Sequence, residues 1–186
     1  ILNQESVKEG QQNRIMQLLD KKQWNEALTF TRKIGVSQKC LRTLKEVFET
    51  RGKDAFQVLK KAKKSVQDYE DSVKSVENLQ EILGLTVEGG AKFDMHIEAG
   101  FARGLEYYTG MIFETYVPEM DIALGGGGRY DKLIELFGGE PTPAVGVAPG
   151  TDRLMLAIEK QRFSPGIQKK KQAIIIPVNE GLRTKA

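Results

Sequence analysis

RGLEYYTGMIFE, residues 103–114, sets an arginine, two tyrosines and two glutamates against a β-rich apolar run. The fold depends on whether this stretch is a surface strand or the wall of a ligand site, and its surroundings favour a sheet. After Gly89-Gly90, KFDMHIEA (92–99) alternates apolar and polar residues, Met111–Val117 is β-rich, and Asp121–Leu124 is a third short run before Gly125–Gly128. Short connections between such runs predict antiparallel pairing, because parallel neighbours need a long crossover. Beyond them the pattern predicts a helix over 130–137, a strand over 144–148, a helix over 151–159, a linker at QRFSPGIQKKKQ and a strand over 173–178.

Upstream, residues 9–85 read as helical. Ile15, Leu18 and Leu19 recur at helical spacing, as do Leu28, Phe30 and Ile34, then Leu41, Leu44, Val47 and Phe48. Ser37 is a candidate N-cap and Gly52 a candidate helix stop. Val66, Tyr69, Val73, Val76, Leu79, Ile82 and Leu83 form one long stripe that Gly84 is expected to end. Proline first appears at Pro118, which suits the helical reading. The fold class is therefore α+β, a helical segment followed by part of an antiparallel sheet flanked by helices.

Composition narrows the chemistry. The chain has 186 residues, 40% hydrophobic and 28% charged, with a net charge of +3. That is enough for one or two small domains, and the mild basicity permits nucleic-acid binding without demanding it. The apolar runs are too short to span a bilayer, and nothing reads as a secretory leader. One cysteine, Cys40, argues against an internal disulfide and a cysteine-rich zinc site, and points to a reducing compartment. One histidine, His96, argues against histidine-based metal or triad chemistry and is expected to be structural. The chain begins at Ile1 and ends soon after AIIIPV, from which we expect a fragment of a longer protein.

Gly125–Gly128 invites a phosphate-loop reading that fails, since no lysine followed by Ser/Thr stands at the required spacing. Two readings stay open: a glycine-rich turn or bulge, or bare backbone against which a ligand presses flat. Arg129 and Tyr130 follow at once and would border such a surface.

RGLEYYTGMIFE (103–114), LGGGGRYDKL (124–133) and TPAVGVAPGTDRL (142–154), in that order, resemble the C-terminal half of the histidyl-tRNA synthetase catalytic domain, a class II aminoacyl-tRNA synthetase fold. RGLEYY is similar to that family's first histidine signature, GGRYD to the second, and AVGVAPGTDRL to class II motif 3. NRIMQLLDKK (13–22) is similar to the opening of the helical insertion that precedes the first signature, and ILNQ (1–4) to the end of a core strand before it. Pro149 and Thr151-Asp152 depart from the usual residues without removing a charge. The resemblance implies residues 1–8 as the end of a core strand, 9–88 as the helical insertion, 89–162 as the C-terminal half of the catalytic domain, and 163–186 as a linker with the first strand of an anticodon-binding domain.

It also implies a histidine–tRNA ligase that activates L-histidine with ATP and transfers it to tRNA(His). Mg2+ would be bound with ATP and no protein-only metal site is expected. The protein would be a cytoplasmic homodimer with no membrane association. This chain is expected to be inactive alone. The alternatives are the synthetase-like regulatory subunit of ATP phosphoribosyltransferase and a non-catalytic tRNA-binding module. By the resemblance, Arg103 is the catalytic cation, at the substrate carboxylate and α-phosphate, where a guanidinium suits because it stays charged and donates as a rigid fork. Tyr107, Tyr108, Gly127, Gly128 and Tyr130 would line the histidine pocket. Arg153, Gly150 and Arg129 would meet ATP, Arg153 near the start of a helix where backbone amides favour phosphate. Alternation along a strand would put Tyr107 and Tyr108 on opposite faces, with Tyr108 favoured at the ligand. Glu106 and Glu114 are supporting carboxylates, Glu114 with Arg129 as its expected partner. Lys60–Lys64 and Lys169–Lys171 read as solvated faces, the first with a possible role at tRNA phosphates.

Overall fold

The computed structural model describes residues 1–104, 107–164 and 166. The strand expected over 173–178 and the lysines at 169–171 lie outside the described residues, as does Glu106. Described by contacts, the chain divides into two units: Ile1–Glu114 with Gly126–Ala148, and Thr115–Gly125 with Pro149–Ala186.

The first unit opens with helices α1 (Glu9–Asp20), α2 (Trp24–Ile34), α3 (Gln38–Glu49), α4 (Ala55–Ser65) and α5 (Glu70–Glu88). Residues 2–6 form turns in place of the strand end expected at ILNQ. Their local signals act as the sequence suggests at several ends. Gly35 closes α2 with φ 89°, a conformation a side chain would resist. Ser37 caps α3 by accepting from the Cys40 amide at 3.0 Å, and Asp54 caps α4 through the Gln57 amide. Gly84 does not end α5, which runs on to Glu88, and Gly90 at φ +79° follows its end. Gly52 is not a helix stop either: with Arg51 it forms strand β1 (Arg51–Gly52), which pairs antiparallel with β2 (Ile97–Glu98).

Two cores hold these helices. Ile15, Leu18 and Leu19 of α1, Ala27 of α2, and Cys40, Leu44 and Phe48 of α3 pack together, and Ala102 is buried among them. Each large aliphatic side chain removed from water there contributes about 1.5–3 kcal/mol. Ala55, Leu59 and Leu83 form a second core, joined by Val76, Leu79, Met95 and Ile97. Burial pushes the Cys40 thiol up to about 11 and the Tyr69 phenol up to about 12.

The sheet that positions the site has the order β3-β4-β5, with β3 at Ile112–Thr115, β4 at Gly125–Arg129 and β5 at Val145–Pro149. Hydrogen bonds from the Leu124 amide to Thr115 and from the Arg129 amide to Met111 make β3 and β4 antiparallel. Bonds from Tyr130 to Ala144 and from Gly150 to Leu124 make β4 and β5 antiparallel too. The expected strands therefore move: KFDMHIEA contributes only β2, Asp121–Leu124 lacks strand structure, and the glycines are the central strand. Helix α6 is shorter than expected (Leu133–Leu136), while α7 (Thr151–Lys160) falls as expected. No helix among the described residues is long and apolar enough to cross a membrane.

Candidate functional site

β4 explains why four glycines stand in one strand. Gly126, Gly127 and Gly128 are buried, and a strand presents alternate residues to opposite faces. A methyl group on Gly126 would overlap Arg103 Nη1 and stand 2.7 Å from the Phe113 carbonyl oxygen. One on Gly128 would overlap the Met111 carbonyl oxygen, just ahead of β3, and stand 3.0 Å from both Tyr108 Cδ1 and Ile112 Cγ2. Gly127 faces the other neighbour, because its missing side chain would collide with the backbone of Gly146 on β5. Gly126 and Gly128 are thus bare beneath Arg103 and Tyr108 and also against the Phe113 and Met111 carbonyls, while Gly127 is bare against the Gly146 backbone. Sequence reasoning singled out Gly127 and Gly128 but missed Gly126; the signal was the period of two that joins 126, 128 and Tyr130.

Arg103 lies before β3, outside any helix or strand, and its Nη1 is 3.3 Å from Glu114 Oε1, the side chains 27% and 20% exposed. Such half-buried ions need a partner, and each supplies it to the other. Glu114 is therefore paired with Arg103, in place of the pair expected with Arg129. Arg129 instead donates from Nε to both carboxylate oxygens of Asp131, at 2.9 and 2.8 Å. The Asp131 amide donates to Thr109 Oγ1 at 2.9 Å, and the Thr109 amide to the Arg129 carbonyl at 2.9 Å, which stitches the two signatures together. Asp131 and Thr109 were not anticipated, although Asp131 sits only two residues after the arginine it binds.

The tyrosines converge. Residues 107 and 108 lie outside any strand, so the expected opposition of their side chains does not arise. Their ring centroids are 4.5 Å apart and the Tyr107 hydroxyl donates a long 3.5 Å bond to that of Tyr108. Tyr130 meets Tyr107 edge-on at 5.9 Å and Tyr108 at 6.5 Å. Its hydroxyl reaches Gly146, where a methyl group would overlap it. The Tyr107 hydroxyl, and then burial, hold the Tyr108 phenol above its ordinary range, against Arg103, which pulls it down. Neutral phenols both donate and accept. The face of β4 thus offers an aromatic wall with hydroxyls at one end and a cation–carboxylate pair at the other. It can accept a small planar polar ring attached to an anionic group.

Arg153 and Gly150 belong to the second unit. Arg153 Nη1 donates to the Ala123 carbonyl at 2.8 Å, and the Gly150 amide, at the start of α7, donates to Leu124 at 2.7 Å. His96 is exposed, 3.6 Å from Glu98. Lys63, within the basic run, pairs with Glu77 at 2.8 Å. Among the described residues no three His, Cys, Asp or Glu side chains are grouped to hold a metal ion.

Comparison with known proteins follows the same lines. The family model described as histidyl-tRNA synthetase matches residues 1–154. The histidine–tRNA ligase of Methanocaldococcus jannaschii is 37% identical over 181 residues, covering 97% of this chain and 40% of that protein. The crystal structure of histidyl-tRNA synthetase from Nostoc sp. PCC 7120 matches with a TM-score of 0.70 at 22% identity, over 96% of this chain and 44% of the other. That of an ATP phosphoribosyltransferase regulatory subunit/histidyl-tRNA synthetase from Bacillus halodurans matches with a TM-score of 0.70 at 23% identity, over 81% and 38%. At these identities the two structures establish the fold. The chain spans 40% of the length of the M. jannaschii relative and 44% of the Nostoc chain.

Proposed function

The chain belongs to the histidyl-tRNA synthetase family, and from that premise we propose that it supplies part of the site where a histidine–tRNA ligase activates L-histidine with ATP and transfers it to tRNA(His). The observation that carries the reading is the Arg103–Glu114 pair seated over Gly126, on the strand face that also bears the tyrosine cluster. In activation, a histidine carboxylate oxygen forms a bond to the α-phosphorus while the bond to the leaving pyrophosphate breaks. Negative charge builds on the phosphoryl oxygens, so catalysis rests on positioned cations. Arg103 is the cation at the carboxylate and α-phosphate, held in aim by Glu114. Tyr107, Tyr108 and Tyr130 take the imidazole, whose neutral ring needs one donor and one acceptor in an apolar wall. Gly127 and Gly128 keep β4 flat beneath it, and Glu106 supports the first signature.

Arg129, Gly150 and Arg153 serve ATP, and Mg2+ arrives with ATP as part of the substrate. Residues 9–88 act as the helical insertion, 1–8 and 89–162 as catalytic-domain pieces, and 163–186 as the lead into an anticodon-binding domain. A cytoplasmic homodimer belongs to the same proposal. Since the chain spans 40% of the M. jannaschii relative, we expect no charging of tRNA by this chain alone.

The test is ATP–pyrophosphate exchange by the protein that carries this chain, run against each standard amino acid. Exchange with histidine alone is the expected result. Exchange with none would move the same residues to the regulatory-subunit reading, as a binding pocket without chemistry.

A further inference from the structure

The residues leading to Arg103 are fastened to the helices, one after another. Ile97 and Glu98 pair with Gly52 and Arg51. The Ala99 amide donates to the Thr50 carbonyl at 2.9 Å. Gly100 lies so close to α2 and α3 that a methyl group there would be 2.8 Å from Phe48 Cα and 2.9 Å from Trp24 Cζ3. Ala102 is 3% exposed, inside the core built by α1, α2 and α3. Gly104 faces the end of α1, where an added methyl would be 2.8 Å from Asp20 Oδ2. Yet the Arg103 side chain leaves this surface for Glu114 on β3 and the bare Cα of Gly126 on β4. The backbone of Arg103 belongs to the helices and its guanidinium to the sheet.

We infer that the α1–α3 core is the positioning element for Arg103, with Gly100 and Ala102 as its positioning residues. Displacement of that core moves the guanidinium, and a shift of about 1 Å is enough to matter at a reacting centre. The coupling runs both ways, so a change at Glu114 on the sheet side reaches Trp24 in the helices. The functional consequence rests on the reading of Arg103 as the activating cation, whereas the joint itself does not.

Two measurements on this chain test the joint without substrate. The first is amide exchange at residues 99–104 in Leu44→Ala, which opens the core around Ala102, against Val66→Ala, which opens a buried site outside it. With global stability matched by denaturant, Leu44→Ala should speed exchange there at least ~tenfold more than Val66→Ala, and Leu44→Met should restore it. If Leu44→Ala does not fold, Ile15→Val in the same core takes its place. The second is acrylamide quenching of Trp24, the one tryptophan, which Glu114→Gln should change by ~twofold or more. Equal exchange in the two core variants, or unchanged quenching in Glu114→Gln, overturns the inference. Such a failure would leave the role of Arg103 in activation standing, and absent histidine-dependent pyrophosphate exchange would leave the joint standing.

Discussion

Gly126→Ala probes the seat of Arg103 directly. The new methyl group would overlap Arg103 Nη1, stand 2.7 Å from the Phe113 carbonyl oxygen and 3.2 Å from Glu114 Cγ. The arginine tip can swing away, but the carbonyl is fixed in the β3–β4 ladder, so part of the overlap must be absorbed by the strands. Overpacking of this kind costs about 1–3 kcal/mol. Displacing a half-buried ion pair adds up to about 1 kcal/mol. For a total of about 1–4 kcal/mol, a chain of this size should lose about 2–16 °C in Tm. The diagnostic quantity is the double-mutant cycle. Once Arg103→Ala has removed the guanidinium, only the contacts with Phe113 and Glu114 remain, so the two changes should be less than additive by about 0.5–1.5 kcal/mol. Urea unfolding followed by Trp24 emission measures all corners of the cycle. Gly127→Ala, whose clash is with the Gly146 backbone, is the control and should be additive with Arg103→Ala. Additivity of Gly126→Ala with Arg103→Ala to within about 0.3 kcal/mol would refute the seat.

Arg103→Ala in the protein that carries this chain should cut histidine activation by more than ~100-fold, and a loss below about tenfold would mean its role is misassigned. Raised Cys40 and Tyr69 values mean the folded chain holds both protons more tightly than the unfolded one. The Cys40 part is complete below the thiol's ordinary 9.0 and lost as pH climbs toward about 11, and the Tyr69 part complete below 10.0 and lost toward about 12. The urea midpoint should therefore fall over these windows, less steeply in Cys40→Ala, and a flat midpoint would contradict the burial argument. At the acid end, the Ser37 amide and hydroxyl hold the Glu5 carboxyl below its ordinary 4.5, so its contribution is present above that value and fades as pH falls below it. Glu5→Gln should remove that part of the acid slope; an unaltered slope would count against the Glu5–Ser37 tie. Ser37→Ala should cost about 1 kcal/mol through loss of the α3 cap.

How legible each element was depended on whether its cause is local. Ile15, Leu18 and Leu19 declare a helix because the period of the chain and the period of the core coincide, and Ser37 caps α3 with its own side chain. Gly84 misleads because an interior glycine costs only about 1 kcal/mol, less than Val76, Leu79 and Leu83 return by packing on the second core. β1 and β2 are two residues each, too short for any pattern, and exist because Thr50 and Ala99 bring them together. The glycine strand misleads for a deeper reason. Glycine is a poor strand former, and bare Cα atoms are needed on β4 beneath Arg103 and Tyr108, against the Phe113 and Met111 carbonyls, and beside Gly146. Arg103, Tyr107, Tyr108 and Tyr130 were readable as a set, but their convergence was not, since residues 107 and 108 leave the strand on which alternation would have separated them.

The two histidine signatures are therefore not independent lists of residues. Arg103 in the first can lie flat only because Gly126, just ahead of the second, carries no side chain. Tyr130 in the second can close on Tyr107 only because Gly146 on the next strand is bare as well. A cation and a phenol held against backbone lose little freedom when a ligand arrives, because their rotamers are already confined. That confinement also makes the arginine and tyrosines vulnerable to changes at residues with no chemistry of their own. A substitution at Gly126 or Gly146 would act as a change at Arg103 or Tyr130, and an effect confined to stability, with the ion pair and ring cluster intact, would show that the bare positions serve only the sheet.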